Sequence, residues 1–231
     1  MKPRPLFVFP KWSNAAALGV LTAMLLLPAY VGALLAWGAN PVTLNVGYQP
    51  LQPVPYSHAQ HVGKLGLDCR YCHTTVEGAA FAALPPTEVC MNCHKSLFAG
   101  DKSVKLKPVR DSFKSGLPVP WMEVHRLPDY VYFNHSAHVN VGVGCVECHG
   151  QVNQMDEKGV YQFSPLNMAW CIECHRDPTP HLRPRNEVTN MTWKPEDVGK
   201  DLPGQTVETY QAYLKKQYHV NANTDCVTCH R

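Results

Sequence analysis

Cys69-Arg70-Tyr71-Cys72-His73 is one of five frames of a single form in this chain. The others are Cys90-Met91-Asn92-Cys93-His94, Cys145-Val146-Glu147-Cys148-His149, Cys171-Ile172-Glu173-Cys174-His175 and Cys226-Val227-Thr228-Cys229-His230. All ten cysteines of the 231 residues lie in these frames. With 12 histidines in the chain, a given position carries His about one time in twenty. Meeting it five times in five has a chance below roughly one in a million, and Cys-x-x-Cys-His is the spacing of covalent c-type haem attachment. The two thiols add across the haem vinyl groups, and the adjacent His supplies the proximal iron ligand.

The other uses of paired cysteines do not ask for that His. A disulfide framework scatters cysteines at varied spacings. A thioredoxin-like site needs one pair in a βαβ setting, and structural zinc needs four ligands without a fixed His. The frames therefore predict five c-type haems, attached at Cys69, Cys72, Cys90, Cys93, Cys145, Cys148, Cys171, Cys174, Cys226 and Cys229. The proximal ligands are His73, His94, His149, His175 and His230.

Upstream of the first frame, residues 15–39 run 25 positions without a charge. A membrane span needs about 20 apolar residues. Lys2, Arg4 and Lys11 precede the run, and no acidic residue occurs before Asp68. The positive-inside rule places residues 1–14 in the cytoplasm and the haem part on the periplasmic side of the inner membrane. Trp12 and Trp37 stand where interfacial aromatics belong, and Pro28 is tolerated in a span. A cleaved signal peptide is the other reading. Its apolar region is normally shorter, about 7 to 15 residues, so an uncleaved single-pass anchor is preferred.

A repeat appears when the frames are aligned. Tyr56-Ser57-His58-Ala59-Gln60-His61-Val62 precedes the first frame, and Phe133-Asn134-His135-Ser136-Ala137-His138-Val139 precedes the third. Each is followed by a second frame after a Pro-containing lead-in. From first Cys to first Cys the steps are 21, 55, 26 and 55. The domain plan is an anchor at 15–39, a linker at 40–55 and a pentahaem domain at 56–231. That domain holds repeats 56–94 and 133–175 and a single site at 219–231. The expected fold is mainly α and irregular, a loop-rich chain wrapped around its haems, because Pro is 20 of 231 residues against a usual share of about 5%. A helix is expected at 207–218, capped by Thr206, with Val207, Tyr210, Leu214 and Tyr218 on one face. Short helical turns are expected to carry the frames. Residues 41–55 and 176–206 read as extended or loop. Lys102, Lys105, Lys107 and Arg110 read as a solvated loop. A net charge of +3 gives no argument for nucleic acid.

Seven histidines remain for the distal side of iron: His58, His61, His125, His135, His138, His181 and His219. The paired and repeated His58/His61 and His135/His138 are the strongest candidates. These positions resemble the multihaem cytochromes of the tri- and tetrahaem class. That resemblance implies His58 on the haem of His73 and His135 on the haem of His149, with His61 and His138 reaching to other haems. His125 is taken as the fifth distal ligand. His219, His181 and Met168 are its competitors, since thioether ligation raises haem potential. Filled sixth positions leave no place for substrate, which argues for electron transfer and against catalysis at haem.

The anchor, "YSHAQHVGKLGLDCRYCH", "VCMNCHK", "DYVYFNHSAHVNVGVGCVECHG", "NMAWCIECHR" and "TDCVTCHR" together resemble the pentahaem subunit of alternative complex III, from about residue 12 to Arg231. The resemblance implies a quinol:electron-acceptor oxidoreductase. Its partners would be a molybdopterin-like iron–sulfur subunit, polytopic quinol-binding membrane subunits, and a monohaem cytochrome c or copper-protein acceptor. The chain's own role would be relay. Two other readings are a membrane-anchored multihaem quinol dehydrogenase feeding a periplasmic reductase, and a free periplasmic carrier released by signal cleavage.

Overall fold

The computed structural model describes residues 9–38, 45–97, 102–198 and 204–231. Lys2, Arg4, the anchor's last residue, linker positions 40–44 and loop positions 199–203 lie outside the described residues. The chain divides into two compact units, Met1–Leu44 and Asn45–Arg231.

In the first unit α1 spans Trp12–Gly38, 27 residues with Pro28 inside and no residue buried. It starts three residues before the expected anchor, because Trp12, Ser13 and Asn14 carry no charge and continue the turn. At 1.5 Å per residue the helix is about 40 Å long. It is long and apolar enough to cross a membrane.

The second unit is helical and irregular, with no strand among the described residues and one isolated bridge, Val143 to Leu182. Its helices are α2 (Cys69–Cys72), α3 (Thr87–His94), α4 (Lys107–Ser115), α5 (His135–Val139), α6 (Cys145–His149), α7 (Met168–Arg176), α8 (Val207–Gln217) and α9 (Cys226–Cys229). Every Cys-x-x-Cys sits on one of them. A helical turn brings positions i and i+3 to the same side, which is what two thiols need to face one macrocycle. Local caps start several of these turns. Asp68 accepts from the Arg70 N–H, Asn134 from Ser136 and Asn167 from Trp170.

The expected C-terminal helix is α8, and Thr206 caps it by accepting from the Thr209 N–H. Leu214 is fully buried, and Gln211 is buried beside it. The Gln211 amide donates to the Pro180 carbonyl at 2.9 Å. This packs α8 on the 3-10 turn Thr179–His181.

Three features depart from the sequence reading or add to it. The run around Lys107 is helix α4, which Gly116 ends at φ 71°. Its Val109 and Ser112 are buried against α3, with Ser112 Oγ bonded to Thr87 Oγ1 at 2.6 Å. Lys107 and Asp111 pair on its exposed side, and Lys105, just before it, pairs with Glu157. Residues 59–64 form a π-helical turn, Ala59–Lys64. The Pro-rich stretch after α7 contains three 3-10 turns, Thr179–His181, Arg185–Glu187 and Pro195–Asp197, each next to a proline.

Few side chains form the polypeptide core. Among the described residues the buried apolar ones are Val54, Val109, Met155, Leu182, Val188, Met191, Val198 and Leu214. Large apolar groups elsewhere, such as Phe81, Tyr130, Met168 and Val227, stay exposed. Side-chain packing alone is a thin source of stability for a unit of this size.

Candidate haem sites

The two repeated segments adopt one local geometry. Tyr56 meets His58 edge-on at 4.7 Å and stacks on His61 at 4.5 Å. Phe133 meets His135 edge-on at 4.8 Å and stacks on His138 at 4.6 Å. The aromatic ring thus sits between two imidazoles and holds them on different headings. The turn that carries them is π-helical in the first copy and α-helical in the second.

The second imidazole of each copy faces the His of that copy's second frame. His61 and His94 have ring centroids 6.1 Å apart, and His138 and His175 are 6.0 Å apart. His135 and His149 lie 6.4 Å apart with planes within 11°. These spans have a physical meaning. With a metal–nitrogen bond of about 2 Å and roughly 1 Å from nitrogen to ring centre, two imidazoles across one ion have centroids about 6 Å apart. His58 is close enough to His73 for charge on one to disfavour charge on the other.

Hydrogen bonds fix which nitrogen is left. Nδ1 of His61 donates to the Ser57 carbonyl at 2.8 Å, and Nδ1 of His138 to the Asn134 carbonyl at 2.8 Å. Those of His73, His135, His175 and His230 donate to the carbonyls of Ala83, Ala80, Asn223 and Tyr130. A carbonyl only accepts, so Nδ1 carries the hydrogen and Nε2 keeps its lone pair. That is the tautomer a metal ligand needs, with its orienting partner in place. His58 Nδ1, His94 Nδ1 and His125 Nε2 are buried with no hydrogen-bond partner among the described residues.

Burial, with neighbouring imidazoles, disfavours charge on five of the imidazoles. Burial, then neighbouring imidazoles, lowers His58 to about 4 and His149 to about 3. Burial also lowers His94, His125 and His138. Neutral imidazole is the form that binds iron. Burial raises the thiols of Cys72, Cys90, Cys148, Cys171 and Cys174. Among the described residues no three or more His, Cys, Asp or Glu side chains are grouped to hold a bare metal ion. The residues present fit haem: paired cysteines on one turn, and imidazoles set an iron's width apart.

The remaining candidates occupy varied settings. His125 lies edge-on to His149 at 4.4 Å, closer than the span across an iron. His181 donates Nδ1 to Glu147 at 2.9 Å, and the Gln211 amide holds the carbonyls of Pro180 and Leu182 on either side of it. His219 is exposed at φ 52°. Met168 is the first residue of α7 and 66% exposed. The ring contact of His230 is Tyr130 at 5.8 Å.

One feature escaped the sequence reading. Arg183 is 3% exposed, donates to Glu147 at 2.7 Å and lies over the Trp193 ring at 4.9 Å. Its guanidinium fills the space that a side chain at Gly144, the N-cap of α6, would occupy. A buried cation therefore sits beside the Cys145 turn. Only the Gly directly before a frame could have hinted at it.

The profile of the family described as cytochrome c7 and related cytochrome c matches residues 131–231. The multihaem cytochrome c subunit of menaquinone reductase from Nitratidesulfovibrio vulgaris (strain Hildenborough) is 30% identical over 216 residues. The match covers 88% of this chain and 89% of the relative.

Proposed function

We propose that this chain, which belongs to the family of the multihaem cytochrome c subunit of menaquinone reductase, is the electron-relay subunit of a membrane-bound quinone oxidoreductase. The cofactor of the family is c-type haem, and the five frames in this sequence support a count of five. Bound haem supplies a one-electron couple whose potential is tuned by axial ligand, burial and hydrogen bonding. The observation that carries the reading is the set of three His–His spans of 6.0, 6.1 and 6.4 Å.

Those spans support three ligand pairs, and the charge coupling of His58 with His73 supports a fourth. His61 serves opposite His94, His135 opposite His149, His138 opposite His175, and His58 opposite His73. The fifth distal ligand belongs to the set His125, His181, His219 and Met168. His181 is the best prepared of these, because Glu147 fixes its tautomer and Gln211 fixes its backbone. Residues 1–14 lie in the cytoplasm, α1 is a single-pass anchor in the inner membrane, and residues 56–231 lie on the periplasmic side.

The finer reading is the pentahaem subunit of alternative complex III. Quinol is then oxidised in polytopic membrane subunits, and electrons pass with a molybdopterin-like iron–sulfur subunit toward a monohaem cytochrome c or copper-protein acceptor. The name of the relative favours a second reading with the opposite flow, from a periplasmic donor to menaquinone. Gentle detergent extraction of native membranes, haem staining of a native gel and mass spectrometry of the stained band test both. A large assembly with iron–sulfur and polytopic subunits is expected. A chain running alone, or with one periplasmic enzyme, overturns the relay reading in favour of a stand-alone quinol dehydrogenase or carrier. Supplying the purified assembly with quinol, and separately with reduced periplasmic donor, decides the direction.

A further inference from the structure

We infer that the five frames stand in a single line whose spatial order differs from their order in the sequence. Numbered along the chain, frames 1 to 5 lie in space as 2–1–3–4–5, with an approximate two-fold relation between frames 1 and 3. The inference rests on the reading that every frame carries haem.

Four sets of contacts give the order. Frame 2 meets frame 1 through His61, which leaves the turn upstream of frame 1 to face His94 at 6.1 Å. Asn92 of frame 2 also reaches the Tyr71 hydroxyl of frame 1 at 3.5 Å. Frame 1 meets frame 3 at Cys69 and Cys145, whose sulfurs lie within interaction range of each other. One short segment ties both: Thr189 donates to Asp68 at 2.8 Å, and the Cys145 N–H donates to the Val188 carbonyl at 3.0 Å. His135 of the third frame's segment anchors its ring and its backbone N–H on Ala80, downstream of frame 1.

Frame 3 meets frame 4 as frame 1 meets frame 2. His138 leaves the turn upstream of frame 3 to face His175 at 6.0 Å. Cys148 lies within electrostatic reach of Cys174 and Cys171. Frame 4 meets frame 5 where His175 donates Nδ1 to the Asn223 carbonyl at 2.8 Å, three residues before Cys226. Cys171 likewise feels Cys229.

The symmetry follows from the repeat. Each copy sends its first imidazole to its own first frame and its second imidazole to its own second frame. The two copies abut through their first frames, so the second frames point outward. Frame 5 then extends one arm only. The ends of the line are frame 2 and frame 5, and the frame nearest the N-terminus is an inner one. Frames 2 and 5 are therefore the two places where a partner protein can reach the line at its end.

The test uses the full haem-loaded chain. Anomalous scattering at the iron edge locates each iron, and the attached cysteines assign it to a frame. The expected nearest neighbours are 2 with 1, 1 with 3, 3 with 4 and 4 with 5. An iron of frame 2 lying nearest to any iron but that of frame 1 overturns the order, as does one of frame 5 lying nearest to any but that of frame 4. Fewer than five irons, matched by a missing thioether mass, defeats the five-haem reading instead. A solution measurement reads the same order. His61→Met and His58→Met each raise the potential of one haem, whose earlier reduction disfavours reduction of its immediate neighbours. H61M is expected to shift one other haem in a spectrally resolved redox titration, and H58M two. Two shifted haems with H61M, or one with H58M, overturns the order.

Discussion

Phe133 stacks on His138 with ring centroids 4.6 Å apart and planes 29° apart. Tyr56 holds His61 in the same way at 4.5 Å and 20°. The aromatic that opens each repeat is thus a support for the imidazole five residues on. Such a pair contributes about 0.5–1.5 kcal/mol beyond the area it buries. Phe133→Leu is expected to lower stability by about 1 kcal/mol and to broaden the low-spin signal of one haem in electron paramagnetic resonance. Unchanged stability together with an unchanged signal would show that the ring is only a neighbour.

Removing the imidazole itself has a different signature. His138→Ala leaves the His175 iron without its proposed distal partner while the thioethers stay. The reduced variant is expected to bind about one carbon monoxide per chain more than the parent protein. A carbon monoxide difference spectrum with an amplitude equal to that of the parent would take His138 off the ligand list.

Asp68 caps α2, accepts from the Arg70 side chain and accepts from Thr189. The hydrogen bond from Arg70 is the main cause that holds its carboxyl at about 2. A lowered carboxyl pKa contributes stability above its ordinary value near 3.8, and that contribution is lost as pH falls through 2. Asp68→Ala is expected to cost about 1 kcal/mol at neutral pH, the usual worth of a cap, with the exposed ion pair adding little. The difference from the parent should shrink as pH falls from 4 toward 2, read by chemical denaturation at several pH values. A difference independent of pH would assign the effect to shape and not to charge.

Gly144 and Arg183 make a paired prediction. A methyl group at 144 meets the guanidinium, which is already held by Glu147 and the Asn190 carbonyl. Gly144→Ala is expected to cost about 1–3 kcal/mol by overpacking. Arg183→Met leaves the Glu147 carboxylate half-buried without its cation, and removal of one partner of a buried pair costs about 3–5 kcal/mol. The double variant, with a smaller group at 183, should recover part of the loss caused by Gly144→Ala. Thermal denaturation of the four proteins reads the coupling.

Haem-free chain is expected to lack a cooperative fold. The buried apolar side chains among the described residues are few, and several imidazoles sit buried with an unmatched nitrogen. Expression without haem attachment should give a circular dichroism spectrum with α1, α8 and little else. A near-native spectrum would place the core in the polypeptide.

Much of the chemistry was readable because it is periodic. Cys-x-x-Cys-His spaces two thiols over one helical turn, and the structure puts every frame on such a turn. The α8 helix and its Thr206 cap were readable from apolar spacing and a single hydroxyl. Helix α4 was not. Its signal was drowned by Lys105, Lys107 and Arg110, although Val109 and Ser112 are spaced to share a face and Gly116 marks its end. The setting of His181 was hidden for another reason. Glu147 and Gln211 lie 34 and 30 residues away from it in sequence, and no local pattern encodes a contact of that range. The ring spans between histidines belong to the same class.

The carbonyls that orient the imidazoles carry a consequence for how this chain is made. His135 is set by a carbonyl 55 residues away, His175 by one 48 residues away, and His230 by one 100 residues away. The Asn223 carbonyl that sets His175 is translated after the site it serves. A truncated chain ending at Arg176 would keep four attachment frames yet leave one of its own imidazoles free to spin. The orienting contacts therefore cross the visible repeat, and the second copy does not hold all of its own.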